Sequence, residues 1–173
     1  MKNIELLFIA MTVVLINACQ NSSQPEGQNE NLVYSTSFET EADISGWSGI
    51  SKENLSNTAC PDGKDYSLHI GGGCIQPTAS YEIPSVLPGK YKLSFWAKMG
   101  QPSQSAGLYL RPAESSSYLE TLRVQVTDTT WKYYESGMSL NIPSSMKLKL
   151  DVIVGGIIFA DVFIDNLKIE KTN

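Results

Sequence analysis

The chain has one histidine, three cysteines, no run of basic residues and only one long apolar run, within its first 16 residues. Each scarcity removes a class of function. A single His69 cannot build a multi-His metal centre or a Cys–His pair. A Ser–His–Asp triad would have to use it, and no nucleophile-elbow motif surrounds any serine. His69 stands between Leu68 and Ile70 and reads as a partly exposed residue on a β-face. A net charge of −5 with no basic cluster argues against nucleic acid as a partner. Gly71-Gly72-Gly73 lacks the Lys and Ser/Thr of a phosphate loop. Glu120, Glu135 and Asp151 are carboxylates that paired glycoside hydrolysis would use. Carboxylates are common on any surface, so the expectation is a non-catalytic protein.

The apolar run is Leu6 to Ile16, 11 residues after a start carrying Lys2 and Glu5. That length suits a signal-peptide core and falls short of the ~20 residues of a spanning helix. It ends in Ile16-Asn17-Ala18-Cys19, which resembles the lipobox of bacterial lipoproteins. The resemblance implies cleavage before Cys19 and lipid on that cysteine. More than one acyl chain gives stable anchoring, at ~0.8 kcal/mol per buried methylene. Membrane attachment would then need no transmembrane helix. Gln20 after the cysteine resembles the enterobacterial pattern for the outer membrane, and places the protein in a bacterial cell envelope. Without residues 1–18, 155 remain, enough for one domain with a core, and the charge stays at −5. Lipid on Cys19 leaves Cys60 and Cys74, which as a pair would close a 15-residue loop. Such a disulfide is worth roughly 3 kcal/mol in the chain-entropy picture. Free thiols or metal ligands are the alternatives, and two cysteines with one histidine make a poor zinc set.

Residues 20–31 contain no aliphatic or aromatic side chain, so 19–31 is expected to be a disordered tether. From Leu32 to the end the pattern is short alternating runs broken by Gly, Pro, Ser, Asn and Asp, the signal of an all-β sandwich. Candidate strands are 32–38, 65–70, 74–82, 90–99, 105–111, 118–126, 131–138, 146–154 and 159–169. Alternation assigns faces. Tyr91, Leu93, Phe95 and Ala97 point inward, while Lys92, Ser94, Trp96 and Lys98 point outward. Leu108 and Leu110 point in, Tyr109 and Arg111 out. Leu122, Val124 and Val126 point in, and so do Leu148, Leu150, Val152 and Val154. The last strand changes parity between Ile164 and Leu167. A β-bulge at Asp165-Asn166 would return both halves to the core and re-aim Asp165.

Five motifs occur in order: Phe38-Glu39 with Gly46-Trp47; Ser67-Leu68-His69-Ile70-Gly71-Gly72; Gly89 to Lys98; Thr130-Trp131-Lys132-Tyr133-Tyr134; and Phe163-Ile164-Asp165-Asn166-Leu167-Lys168-Ile169. Together they resemble the galactose-binding-like jelly roll of carbohydrate-binding modules appended to cellulases and xylanases, over residues 32–173. The resemblance implies a jelly-roll β-sandwich of two antiparallel sheets with a structural calcium ion. Its ligands would be Glu39 and Asp165, helped by backbone carbonyls of 63–67, with Glu41 a further candidate. Trp47 and Trp131 hold positions that look structural in that family, so both are expected in the core.

Sugars meet proteins through aromatic platforms and a few placed polar groups. Trp96, Tyr109, Arg111 and Lys98 are the candidate ligand-binding residues, with Arg123 and Asp151 as further polar rims. If 90–99 and 105–111 pair as a hairpin, Trp96 and Tyr109 share one patch; a loop or the first strand covering Trp96 is the alternative. Tyr118 in its loop is open to either role. The leading expectation is a lipoprotein that binds polysaccharide or oligosaccharide at the cell surface. The alternative is a structural or protein-binding sandwich, an adhesin or assembly component, without sugar binding.

Overall fold

A computed structural model of the chain describes residues 31–71, 78–115, 121–155 and 160–172. The expected signal peptide, Cys19, the tether up to residue 30, Cys74, Tyr118 and Glu120 lie outside the described residues, and Asn31 at the tether's end accepts from Lys171 N at 2.7 Å. Among the described residues twelve strands follow in chain order: β1 (Leu32–Thr36), β2 (Trp47–Ser48), β3 (Leu55–Ser56), β4 (Ser67–Gly71), β5 (Thr78–Val86), β6 (Gly89–Met99), β7 (Ser105–Pro112), β8 (Leu122–Val126), β9 (Lys132–Glu135), β10 (Leu140–Ile142), β11 (Met146–Gly155) and β12 (Asp161–Thr172). Each alternating run carries a strand among its described residues, while 74–77, 118–120 and 159 lie outside them. The short β2, β3 and β10 were not foreseen.

The strands form two antiparallel sheets. One has seven strands, with β10-β6-β12-β4-β3 in order, β1 also pairing β12 and β9 also pairing β6. The other has five, in the order β2-β5-β11-β7-β8. Alternation explains how they pack. On β6 the side chains of Tyr91, Leu93, Phe95, Ala97 and Met99 are exposed by 1 % or less. On β11 Leu148, Leu150 and Val152 are fully buried opposite them. These faces make one continuous core with Leu108, Leu110, Val126, Ile164, Leu167 and Ile169. Truncating such a side chain, as in Leu150→Ala, costs ~2–5 kcal/mol through lost transfer energy and the cavity left behind. Among the described residues no helix is long and apolar enough to cross a membrane.

Two features of the sheets govern the sites. The bulge is present: the β12–β6 register shifts between Asp165 and Lys168, and Asn166 takes a left-handed φ of 45°. Leu167 and Ile169 thereby return to the core. The expected hairpin between β6 and β7 does not form. Both edges of β6 are taken, by β12 on one side and by β9 and β10 on the other. Both edges of β7 are taken by β11 and β8. The chain between them crosses from one sheet to the other, so Trp96 and Tyr109 stand on opposite outer faces of the sandwich.

Candidate functional site

The outer face of the five-stranded sheet carries a groove of about 510 Å³. Strand register builds its floor in rows. Asp151 on β11 faces Ser80 on β5 and Tyr109 on β7, and Tyr109 faces Arg123 on β8. The next row sets Lys149 between Glu82 and Arg111. The row on the other side sets Ile153 between Thr78 and Gly107. Side chains directly opposite one another on a sheet point the same way, so these rows converge on one surface.

Asp151 is outward by parity yet only 7 % exposed. Its Oδ1 accepts a hydrogen bond from Ser80 Oγ at 2.6 Å and lies 3.3 Å from Lys149 Nζ. Its Oδ2 accepts from Arg111 Nε at 3.1 Å. Arg111 also donates through Nη1 to the Ser115 carbonyl at 2.7 Å, which ties the loop after β7 to the floor. Asp151 is therefore a buried anchor for two cations, not the exposed rim expected of it. The Tyr109 ring comes close against Gly107. A Cβ on that glycine would sit 2.6 Å from Tyr109 Cε2. The guanidinium of Arg123 is 5.4 Å from the centre of the Tyr109 ring, within cation–π range. Alternation placed Tyr109, Arg111 and Lys149 outward, but Lys149 was given no site role and Gly107, Thr78 and Ser80 were missed. The glycine was the available signal, because a glycine inside a strand marks close approach by another group. Gly107→Ala is expected to lift the Tyr109 ring and weaken ligand binding several-fold, with little loss of melting temperature. Isothermal titration beside a thermal melt checks both.

The other two candidates, Trp96 and Lys98, lie on the outer face of the seven-stranded sheet. Trp96 is half-buried and packs edge-on against Tyr133, centroids 5.8 Å apart. Lys98 Nζ sits 5.2 Å from the Trp131 ring centre and 4.9 Å from that of Phe163. Phe163 in turn stacks on His69, which is 3.3 Å from Asp161. Trp131 is thus half-buried on this face, not in the core as expected. Trp47 is in the core at 7 % exposure, donating from Nε1 to Tyr34 Oη at 3.0 Å. Burial pushes the Tyr34 hydroxyl up to about 12, so it stays protonated there.

Glu39 and Asp165 both hold the loop before β4. Glu39 accepts the backbone N–H groups of Lys64, Asp65 and Tyr66 at 3.0–3.1 Å. Asp165, fully buried, accepts from Cys60 N at 3.0 Å and from its neighbour Asn166 N at 2.7 Å. Gly63 lets the loop come this close, since a Cβ there would lie 2.3 Å from Asp165 Oδ2. Burial raises the Asp165 carboxyl, the amide and thiol hydrogen bonds of Cys60 and Asn166 oppose this, and the charge of Glu39 adds to the rise. Among the described residues no Lys or Arg forms an ion pair with Glu39 or Asp165. Each carboxylate also adjoins a residue with left-handed backbone, Phe38 at φ 56° and Asn166 at φ 45°. Such strain persists only where the surroundings enforce it. Among the described residues no three His, Cys, Asp or Glu side chains converge as for a metal. Two neighbouring carboxylates without a counter-cation still fit a hard cation, whose remaining oxygens would be backbone carbonyls. Cys60 is buried with a free thiol, pushed up to about 11 by burial and then by Asp165.

Comparison with known proteins separates fold from family. No family model matches the chain, and no curated protein matches it either. Solved structures do. A structure titled TmCBM61 in complex with beta-1,4-galactotriose aligns with a TM-score of 0.57 at 19 % identity, over 79 % of this chain and 94 % of that one. The chain has the jelly-roll fold of carbohydrate-binding modules. A family 16 carbohydrate-binding module aligns at 0.57 and 18 % identity, over 80 % of this chain and 99 % of that one. The CBM22-1 xylan-binding domain of Paenibacillus barcinonensis Xyn10C aligns at 0.57 and 16 % identity, over 82 % and 94 %.

Proposed function

We propose that this jelly roll is a non-catalytic glycan-binding domain, and that its ligand lies in the groove of the five-stranded sheet. The observation that carries the reading is the Tyr109 ring held close against Gly107 beside the Arg111–Asp151–Lys149 cluster. A ring face accepts the C–H side of a sugar. The guanidinium, the ammonium and the hydroxyls of Thr78 and Ser80 suit its hydroxyl rim. Both oxygens of Asp151 are spent on Ser80, Arg111 and Lys149, which suits an orienting role better than proton transfer. The aligned modules crystallised with galactotriose or described as xylan-binding support the same class of ligand.

The surrounding proposals follow from the sequence. Lipid on Cys19 would hold the domain at the envelope surface, with 19–31 as its tether. Glu39 and Asp165 would hold calcium, which would fix the loop before β4 by neutralising two adjacent carboxylates. Cys60 and Cys74 would pair once oxidised. A glycan array probed with residues 20–173, which hold every strand and every core side chain described, tests the main reading. Saturable binding to at least one polysaccharide is expected, with a loss of ten-fold or more in Tyr109→Ala. No binding to any glycan, with a co-purifying protein instead, would favour the adhesin or assembly reading.

A further inference from the structure

The opposite face of the sandwich carries a second pocket, of about 570 Å³, lined by Asp62, Trp96, Tyr133, Asn166 and Lys168. Its size is within the roughly 300–1,000 Å³ of small-molecule sites. One wall is the Trp96–Tyr133 pair, whose rings meet at 64° and form a corner. Cross-strand register fixes that corner, since Trp96 on β6 faces Tyr133 on β9. The facing wall is the loop bearing Asp62. On the far side of β6, Trp96 faces Asp165, the residue at which the bulge begins. There Asp165 turns its carboxylate to Cys60 N of that loop, and Asn166 and Lys168 of β12 line the pocket beside the indole. Asn166 donates from Nδ2 to the Asp62 carbonyl at 3.1 Å and to Cys60 Sγ at 3.4 Å. The bulge thus pins the wall that faces Trp96 across the pocket.

We propose that this pocket is a second glycan subsite, taking one sugar residue of a polysaccharide independently of the groove on the other face. The walls match a polyol. The two rings, inclined at 64°, offer a face and an edge to C–H groups. The exposed carboxylate of Asp62 and ammonium of Lys168 offer an acceptor and a donor for hydroxyls. Tyr133, 50 % exposed, is the only large hydrophobic side chain on this pocket's rim that is strongly exposed. A protein partner would need ~800 Å² of surface with an apolar centre, and a corner of two rings edged by opposite charges does not supply that. The two sites lie on opposite outer faces, so one domain would bridge two polysaccharide chains.

Residues 20–173 and three variants on one polysaccharide array test this. The first is Tyr109→Ala with Arg111→Ala, which disables the groove. The second is Tyr133→Ala, an exposed change with little reason to unfold the protein. The third combines all of them. Residual binding of the groove variant to at least one polysaccharide is expected, with a further loss of ten-fold or more when Tyr133→Ala is added. Wild type is expected to cross-link and precipitate that polysaccharide, and each single-face variant to bind without precipitating it. Three outcomes overturn the proposal: no residual binding in the groove variant; residual binding indifferent to Tyr133; or a wild-type dimer that Tyr133→Ala dissociates, which assigns the pocket to a second copy. Failure of the groove reading is distinct, because Tyr109→Ala with Arg111→Ala would then bind as wild type does.

Discussion

Asp165→Ala is expected to lower stability by about 2–4 kcal/mol, because it strands two backbone amides and frees a loop. Asp165 is fully buried and accepts from Cys60 N and Asn166 N. Without it, both donors lose their acceptor where water does not readily replace it. Asn166 keeps its left-handed φ only because the bulge is held, so that strain is also released into the loop. For a domain near 150 residues, each kcal/mol moves the melting temperature by roughly 2–4 °C. A drop on the order of 5–15 °C follows. The cation proposal adds a separate expectation. A chelator should lower the wild-type melting temperature, calcium should restore it, and Asp165→Ala should respond to neither. A wild type indifferent to chelator would remove calcium and leave the hydrogen-bond account standing. A melting temperature unchanged in Asp165→Ala would remove both.

Asp151→Ala is expected to damage binding and folding together. Deleting it leaves Arg111 and Lys149 side by side, 25 % and 35 % exposed, with no acid between them. Removing one partner from a buried ionic cluster costs up to ~3–5 kcal/mol, and the partial exposure here reduces that to about 1–3 kcal/mol. The groove loses more than stability. Arg111 is aimed by two acceptors, Asp151 Oδ2 and the Ser115 carbonyl, and would keep only the second as its strong tie. Glycan affinity should fall at least ten-fold, about 1.4 kcal/mol. Asp151→Asn retains an acceptor oxygen and should recover most of the fold but only part of the affinity. An Asp151→Ala protein that melts lower yet binds as tightly as wild type would show that the cluster is scaffolding alone.

What the sequence disclosed, and what it hid, divides along a physical line. Period-two alternation is local, so the inward residues of β6, β7, β8 and β11 were all assigned correctly from it. The bulge was legible for the same reason, since a single inserted residue inverts every later side chain. Two- and three-residue strands such as β2 and β10 carry no period to detect. Sheet order is set by which edges remain free, a property of the whole assembly, and so the hairpin that would have joined Trp96 to Tyr109 was misjudged. Parity also gives a face without giving exposure. Asp151 is outward yet buried because Ser80, Arg111 and Lys149 close over it from neighbouring strands and its own. Trp131 departs from its expected core position for a related reason. It precedes β9, an edge strand, and on the outer face Lys98 lies over its ring.

The most direct test of glycan binding in the groove is a backbone amide NMR titration of residues 20–173 with an oligosaccharide from the polysaccharide that binds best on the array. Saturating shifts should gather on Thr78–Ser80, Gly107–Arg111, Arg123 and Lys149–Asp151, three neighbouring strands and one beyond. Shifts absent from these strands, or unchanged by Tyr109→Ala, would contradict the account.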